Sequence, residues 1–178
     1  MKLIKKYSLF ILASLVIIVL YFVNKEIGLK AVETVRVSSK EMIFILPPVF
    51  ILLGLLDVWV PRDTMVKYMG KGSGVTGALL AFLIGSAAAG PLYVVFPIAA
   101  AFMRKDVKFS NILILIGAWS TTKIPMILFE LGSLGTKFGL TRLALNIPVI
   151  LIITLVINKA MNKDEVAEIY SNAKDLDI

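Results

Sequence analysis

An all-α, polytopic integral membrane protein is the fold class this sequence predicts, and three observations predict it. Of the 178 residues, 58% are hydrophobic, against roughly 45–50% in soluble domains, and the mean hydropathy is +0.90. Several apolar stretches reach the ~17–25 residues that a bilayer-spanning helix needs. The basic residues cluster in short segments at the borders of those stretches, where lysine and arginine flank spans. A soluble helical core of this composition would have to bury almost every face of every helix. Five to six membrane segments are expected, one of them broken or re-entrant at Gly90-Pro91.

The first span is expected from about Leu3 to Val23. It imitates a secretory signal, but its apolar run from Tyr7 to Val23 is long for one and no small-x-small site follows, so it reads as retained. A polar connection, Asn24 to Lys40, leads to a second span from Met42 to Val60. Pro47 and Pro48 remove two N–H donors there and should kink or interrupt it. The segment PRDTMVKYMGKGSG, 61 to 74, fits either a short interfacial helix starting after Pro61 or an ordinary loop.

The run Gly74 to Met103 is too long for one ordinary span and too short for two. As one helix it would measure ~45 Å against a ~30 Å hydrocarbon core. It is therefore either one tilted, broken helix or a re-entrant hairpin with its tip at Ala87 to Pro91. A short basic loop, 104 to 109, precedes a span from Asn111 to Leu131 that is broken at Ser120 to Pro125. A Gly-rich loop, 132 to 142, leads to a last span, Leu143 to Ile157, containing Pro148. In the tail, Val166, Ile169, Tyr170 and Ala173 recur at helical spacing, which predicts an amphipathic helix. The expected division is a transmembrane domain over 1–158 and a short charged tail over 159–178.

The charge distribution bears on the hairpin. If 74–103 crosses once, Lys and Arg divide eight against ten between the two sides. If it re-enters, they divide twelve against six, with the N-terminus on the richer side. Cytoplasmic loops are enriched in Lys and Arg, so the hairpin predicts a cytoplasmic N-terminus and a parallel dimer. The balanced count instead permits insertion in both orientations and an antiparallel pair. The expected setting is multi-pass in a prokaryotic cell membrane.

Two stretches carry the functional expectation. GSAAAGP, 85 to 91, breaks the backbone inside an apolar run. Unpaired backbone at membrane depth is tolerated only against protein or a water-filled cavity, and transporters use such breaks to hold substrate or ions. Ser86, Ala89, Gly90 and Pro91 are candidate substrate contacts, because small side chains leave backbone accessible. Close helix packing recruits the same residue types. WSTTKIP, 119 to 125, adds Trp119, Ser120, Thr121, Thr122 and above all Lys123, about twelve residues into an apolar run. A lysine at that depth costs ~2.5–3.5 kcal/mol by insertion scales and marks a functional site by default. It can bind an anionic group or neutralise a carboxylate. Asp57 and Glu130 are the ion-coupling candidates, and since Glu130 lies two turns further along, a partner on another helix or subunit is the better expectation. A structural ion pair, or a lysine reaching the interface along a tilted helix, is the alternative.

The chain has neither cysteine nor histidine. That excludes disulfides, thiolate and imidazole metal sites, cysteine nucleophiles and histidine proton relays. No carboxylate pairing suggests a metal and no ATP-binding signature appears, so no cofactor is expected. The net charge of +7 follows from span-flanking residues and does not point to nucleic acid. No nucleophile, base and orienting group converge, so an enzyme is not expected.

The run GKGSGVTGALLAFLIGSAAAGPLYVVFPIAAAFMRKDVKFSNILILIGAWSTTKIPMILFELGSLGTKFGLTRL contains four connected features. They are the Gly90, Pro91 and Pro97 spacing, the basic loop after it, GAWS-x-x-KIP, and FELGSLG. In these it resembles the predicted permeases related to the organoarsenical efflux permeases, and in particular their half-length members. The resemblance covers about Pro61 to Leu145. It implies a membrane transport protein whose working unit has two such halves, here a homodimer. Full-length arsenical permeases carry a cysteine-bearing motif at the helix break. GSAAAGP stands there in this chain, so capture of trivalent arsenic by a thiolate is not carried over.

The expected function is a permease for a small solute, with Lys123 favouring an anionic group. The reading from another class is a non-transporting membrane scaffold or accessory subunit, in which Gly, Ala and Pro serve packing and Lys123 an ion pair.

Overall fold

The computed structural model describes residues 7–88 and 90–174, without the side chains of 8, 9, 46, 52, 53, 56 and 57. Every regular element among them is helical. The chain divides into two compact units, Met1–Pro48 and Val49–Ile178.

In the first unit, α1 spans Ser8–Val23 and ends at Asn24, whose extended backbone turns the chain into α2, Lys25–Trp59, the last part of which belongs to the second unit. The Asn24 side chain accepts from the Ile27 N–H at 3.2 Å, capping α2 as Asn does at a helix start. The connection expected over Asn24–Lys40 is therefore a correction: it is the first half of α2. An i,i+4 pair at 2.9 Å between Glu26 and Lys30, and a Glu33–Arg36 pair one turn on, support helix where apolar periodicity is missing. Pro47 and Pro48 sit inside the same helix and do not interrupt it. The part of span 1 before Tyr7 lies outside the described residues.

In the second unit, α3 spans Arg62–Met69, resolving helix against loop there. The run 74–103 forms two pieces. The first is α4, Gly74–Ala87. The second is a 3-10 turn, Leu92–Val94, continuing into α5, Val95–Arg104. Next come α6, Phe109–Thr121, and α7, Ile124–Ser133. A tight turn at Gly135 leads to α8, Thr136–Ala160, and the tail forms α9, Lys163–Lys174. The loop expected over 132–142 thus shrinks to a turn, and the last span begins seven residues early.

Hydrogen bonds fix the directions. The Met69 carbonyl accepts from the Lys108 N–H at 2.9 Å and from the buried Asn111 amide at 2.8 Å. The start of α4 and the end of α5 therefore lie together. At the other end, the Trp119 indole donates to the Pro91 carbonyl at 3.3 Å. So α4 ascends, α5 returns, and α6 ascends again beside α4. This is a helical hairpin whose tip includes Ala88, Gly90 and Pro91. Each arm of 13 or 14 residues measures ~20 Å, about two-thirds of a hydrocarbon core. Helix α8 descends along α7 and α6, with Leu131 beside Gly139, Ile150 against Gly117, and Asn158 donating to Ser110 at 2.8 Å.

The core of this unit lies around α6, which packs on α4, α5 and α8. Phe102, Ile112 and Leu115 are fully buried there. The outer face of α8 is apolar and bare, with Leu155 65% exposed. Among the described residues two helical stretches are long and apolar enough to span a bilayer, Phe109–Ser133 and Thr136–Ala160. The five to six segments expected are not matched by that count. The run 74–103 is divided into two short arms, and α2 is polar through its first half.

Candidate functional site

The first break has a backbone cause. Ala88 is extended (φ −71°, ψ 147°), Gly90 has φ +122°, and Pro91 (φ −67°, ψ 160°) has no N–H to offer. Only glycine takes the Gly90 conformation without strain. Helix resumes just after Pro91, where the missing donor is not needed.

The second break has a side-chain cause. Ser120 and Thr121 fold back to donate to the Gly117 carbonyl at 2.9 and 2.8 Å, and Thr122 donates to the Ala118 carbonyl at 3.0 Å. A run of hydroxyls bonded to the preceding turn loosens a helix. Thr122 and Lys123 leave the helical region, and Pro125 lies in the first turn of α7.

The two breaks meet. Ser86 and Thr122 share a hydrogen bond of 2.9 Å, both buried. Trp119 reaches Pro91, and the Lys123 ammonium donates to the Gly90 carbonyl at 2.6 Å. Close approach makes this possible: a Cβ on Gly85 would stand 2.5 Å from the Leu115 carbonyl oxygen and 2.9 Å from the Ala118 Cβ. Packing is thus the role the structure gives Gly85, while Ser86, Trp119 and Thr122 hold the junction together. Lys123 and Gly90 are only partly buried and keep one side open. Ala89 and the Asp57 side chain lie outside the described residues.

Ser120 and Thr121 face elsewhere. With Gly117, Asn146 and Ile150 they border a cleft of about 80 Å³ between α6 and α8. Lys123, Ser86 and Gly90 are not part of its lining.

Glu130, a candidate carboxylate for which direct contact with Lys123 was not expected, is paired with Arg142 on α8. Glu130 is buried and Arg142 mostly so. Glu130 stands five residues before Gly135 and Arg142 seven after, so the α7–α8 turn brings them face to face. Arg142 also donates to the Thr121 carbonyl at 3.3 Å, and Asn146 reaches the same oxygen at 3.4 Å. Sequence reasoning missed Arg142 because the last span was started at Leu143, and missed Asn146 because it is a lone amide inside that span. The near-symmetric placing of opposite charges around a Gly-rich turn was the signal that could have found Arg142. Among the described residues no cluster of three or more carboxylates could hold a metal.

Helix ends supply the remaining electrostatics. At this one level α4 and α6 present C-terminal carbonyls, while α7 and the 3-10 turn present N-terminal N–H groups. Carbonyl ends attract cations and N–H ends attract anions. The junction therefore gathers both kinds of helix end.

A family model described as "Predicted permease" matches residues 29–178. No curated protein and no solved structure matches the chain.

Proposed function

The chain belongs to the predicted permease family, and from that premise we propose that it moves a small solute across the bilayer through a site at its paired helix breaks. The transporter-type function and the membrane setting follow from the family and from the two long apolar helices. The place of the site rests on one observation: both breaks lie at a single level, bridged by Lys123. Discontinuous helices that expose backbone inside a membrane are the usual transporter device for holding substrate. Lys123 and the two N-terminal helix ends favour an anionic group on the solute.

The proposed unit is a homodimer, because Lys123 and Gly90 leave an open side that a second copy can close. The hairpin bears on its symmetry. Arg62, Lys67 and Lys71, then Arg104, Lys105 and Lys108, then Lys159, Lys163 and Lys174 gather at the root of the hairpin, nine cations against Lys137 at the far end, where Arg142 is taken up by Glu130. The root is then the cytoplasmic face, and both copies point the same way. The cytoplasmic N-terminus expected from the charge count belongs to the same reading.

The test is flux. Full-length protein is reconstituted into liposomes and challenged with gradients of phosphate, sulfate, acetate and glutamate, with sodium and potassium as cation controls. Transport of at least one anion, lost in Lys123→Met, is expected. Transport at the wild-type rate in Lys123→Met overturns the assigned site, and flux of cations alone overturns the solute class.

A further inference from the structure

A second hollow lies far from the breaks, at the root of the hairpin. It is a groove of about 960 Å³ between α3, the turn after α5, and α9. Its charge is one-sided. Arg62, Lys71, Lys108, Lys163 and Lys174 line it, with Asp106 as the one carboxylate. Asp106 is already engaged by Arg62, through Nε at 2.6 Å, and by Lys174 at 3.9 Å. Lys71, Lys108 and Lys163 have no ion pair among the described residues. Five positive charges less one negative leave the groove at +4.

The tail as a whole is not basic. Asp164, Glu165 and Glu168 are on α9, but the groove is lined by Lys163, Val166, Tyr170 and Lys174, which share another face at helical spacing. The acids are off the groove and the lysines on it. Between the cations the lining is mixed: Val66, Phe109 and Met161 form an apolar part, beside the polar Ser110, Asn158, Asn162 and Ser171. The groove is lined by Phe109 and Met161, which stand at the start of one bilayer-length apolar stretch and just past the end of the other.

We propose that this groove is a docking site for an anionic phospholipid, whose phosphate sits among Lys71, Lys108 and Lys163 and whose glycerol and upper acyl chain lie on Val66, Phe109 and Met161. Charge complementarity selects a negative headgroup, and the apolar part of the lining selects lipid over a free anion. Basic pockets on the cytoplasmic side of membrane proteins hold acidic headgroups by the same physics. This site does not depend on the solute pathway at the breaks.

Native mass spectrometry of the detergent-purified full chain, titrated with short-chain phosphatidylglycerol or phosphatidylcholine, tests it. Phosphatidylglycerol is expected to bind in preference. Each lysine near an acidic surface is worth roughly fivefold in binding. The triple variant Lys71→Gln, Lys108→Gln, Lys163→Gln should therefore lose the preference by more than ~10-fold. Lys137→Gln, a single charge change at the far end, should keep it, and helicity by circular dichroism controls for folding. Equal retention of the two lipids, or an unchanged preference in the triple variant, overturns the proposal. So does displacement of phosphatidylglycerol by millimolar inorganic phosphate, which would mark a free-anion site. If the triple variant misfolds, crosslinking of a photoactivatable phosphatidylglycerol to the wild-type chain decides: label on α3 or α9 supports the site, and label confined to α8 overturns it.

Discussion

The Lys123 ammonium and the Gly90 carbonyl stand 2.6 Å apart, and that bond ties the second helix break to the tip of the hairpin. The carbonyl belongs to the loop between α4 and the 3-10 turn, and Lys123 stands where α6 has ended and α7 has not begun. Each break thus supplies what the other leaves unsatisfied. A charged hydrogen bond of this kind is worth ~1.5–3 kcal/mol.

Replacing Lys123 by Met keeps length and apolar bulk and removes the charge. Helicity and membrane insertion should be retained, the unfolding midpoint should fall modestly, and solute flux should drop by at least tenfold. Liposome flux measured beside circular dichroism checks the split; loss of both together would point to a purely structural lysine.

Gly90→Ala places a Cβ on a backbone at φ +122°. Strain at such a position costs ~1–3 kcal/mol, and no neighbouring atom crowds the site. Gly85→Ala fails for the opposite reason, with normal helical backbone but a carbonyl oxygen 2.5 Å from the new Cβ. Both should destabilise. Adding Leu115→Ala should rescue neither, because the obstacle at Gly85 is backbone and at Gly90 is torsional. Thermal melts in detergent decide this.

Removing one partner of the Glu130–Arg142 pair strands the other within the membrane-spanning pair of helices. Arg142→Met is expected to cost ~3–5 kcal/mol, as for other broken buried pairs. Arg142→Met with Glu130→Met should recover most of it. A double-mutant cycle that shows no coupling would refute the pairing.

The Tyr170 hydroxyl donates to the Val107 carbonyl at 2.5 Å and holds α9 against the turn after α5. Burial first, and the Asp106 charge second, push its pKa from 10.0 up to about 12. The folded state therefore prefers the neutral phenol. Its contribution is fully present below pH 10 and is lost as pH rises through 12. Across that window the thermal midpoint, read by circular dichroism, should fall more steeply in the wild type than in Tyr170→Phe.

A parallel dimer predicts that a reporter fused after Ile178 is active only in the cytoplasm. Activity on both sides of the membrane would replace it with an antiparallel pair.

Both helix breaks were legible because they are written in residues with strong local rules: Gly90 and Pro91 in one, three successive hydroxyls and Pro125 in the other. The hairpin was legible only through charge counting, since no local signal separates a returning helix from a broken one. The helical start of α2 was obscured because Lys25 to Lys40 has no apolar stripe, and its support comes from i,i+4 pairing. Glu130 was visible as a deep charge, but its partner was hidden by a boundary drawn after Arg142. Whether Ser86 lines a cavity or closes a seam depends on the distance between α4 and α6, which no local sequence rule encodes.

The bonds from Lys108 and Asn111 to the Met69 carbonyl clamp the two feet of the hairpin to each other and to α6. Beyond the packing of α4 on α6, which reaches Gly85, the tip is held to the second break by single hydrogen bonds from Lys123, Trp119 and Thr122. Mechanically this is a cantilever, fixed at its root and latched at its free end. Opening the latch lets the tip swing while the root stays still, so displacement should grow with distance from Met69. Amide exchange should then be slowest near Gly77 and Phe102 and fastest beside Pro91, and Lys123→Met should steepen that gradient without shifting its fixed end.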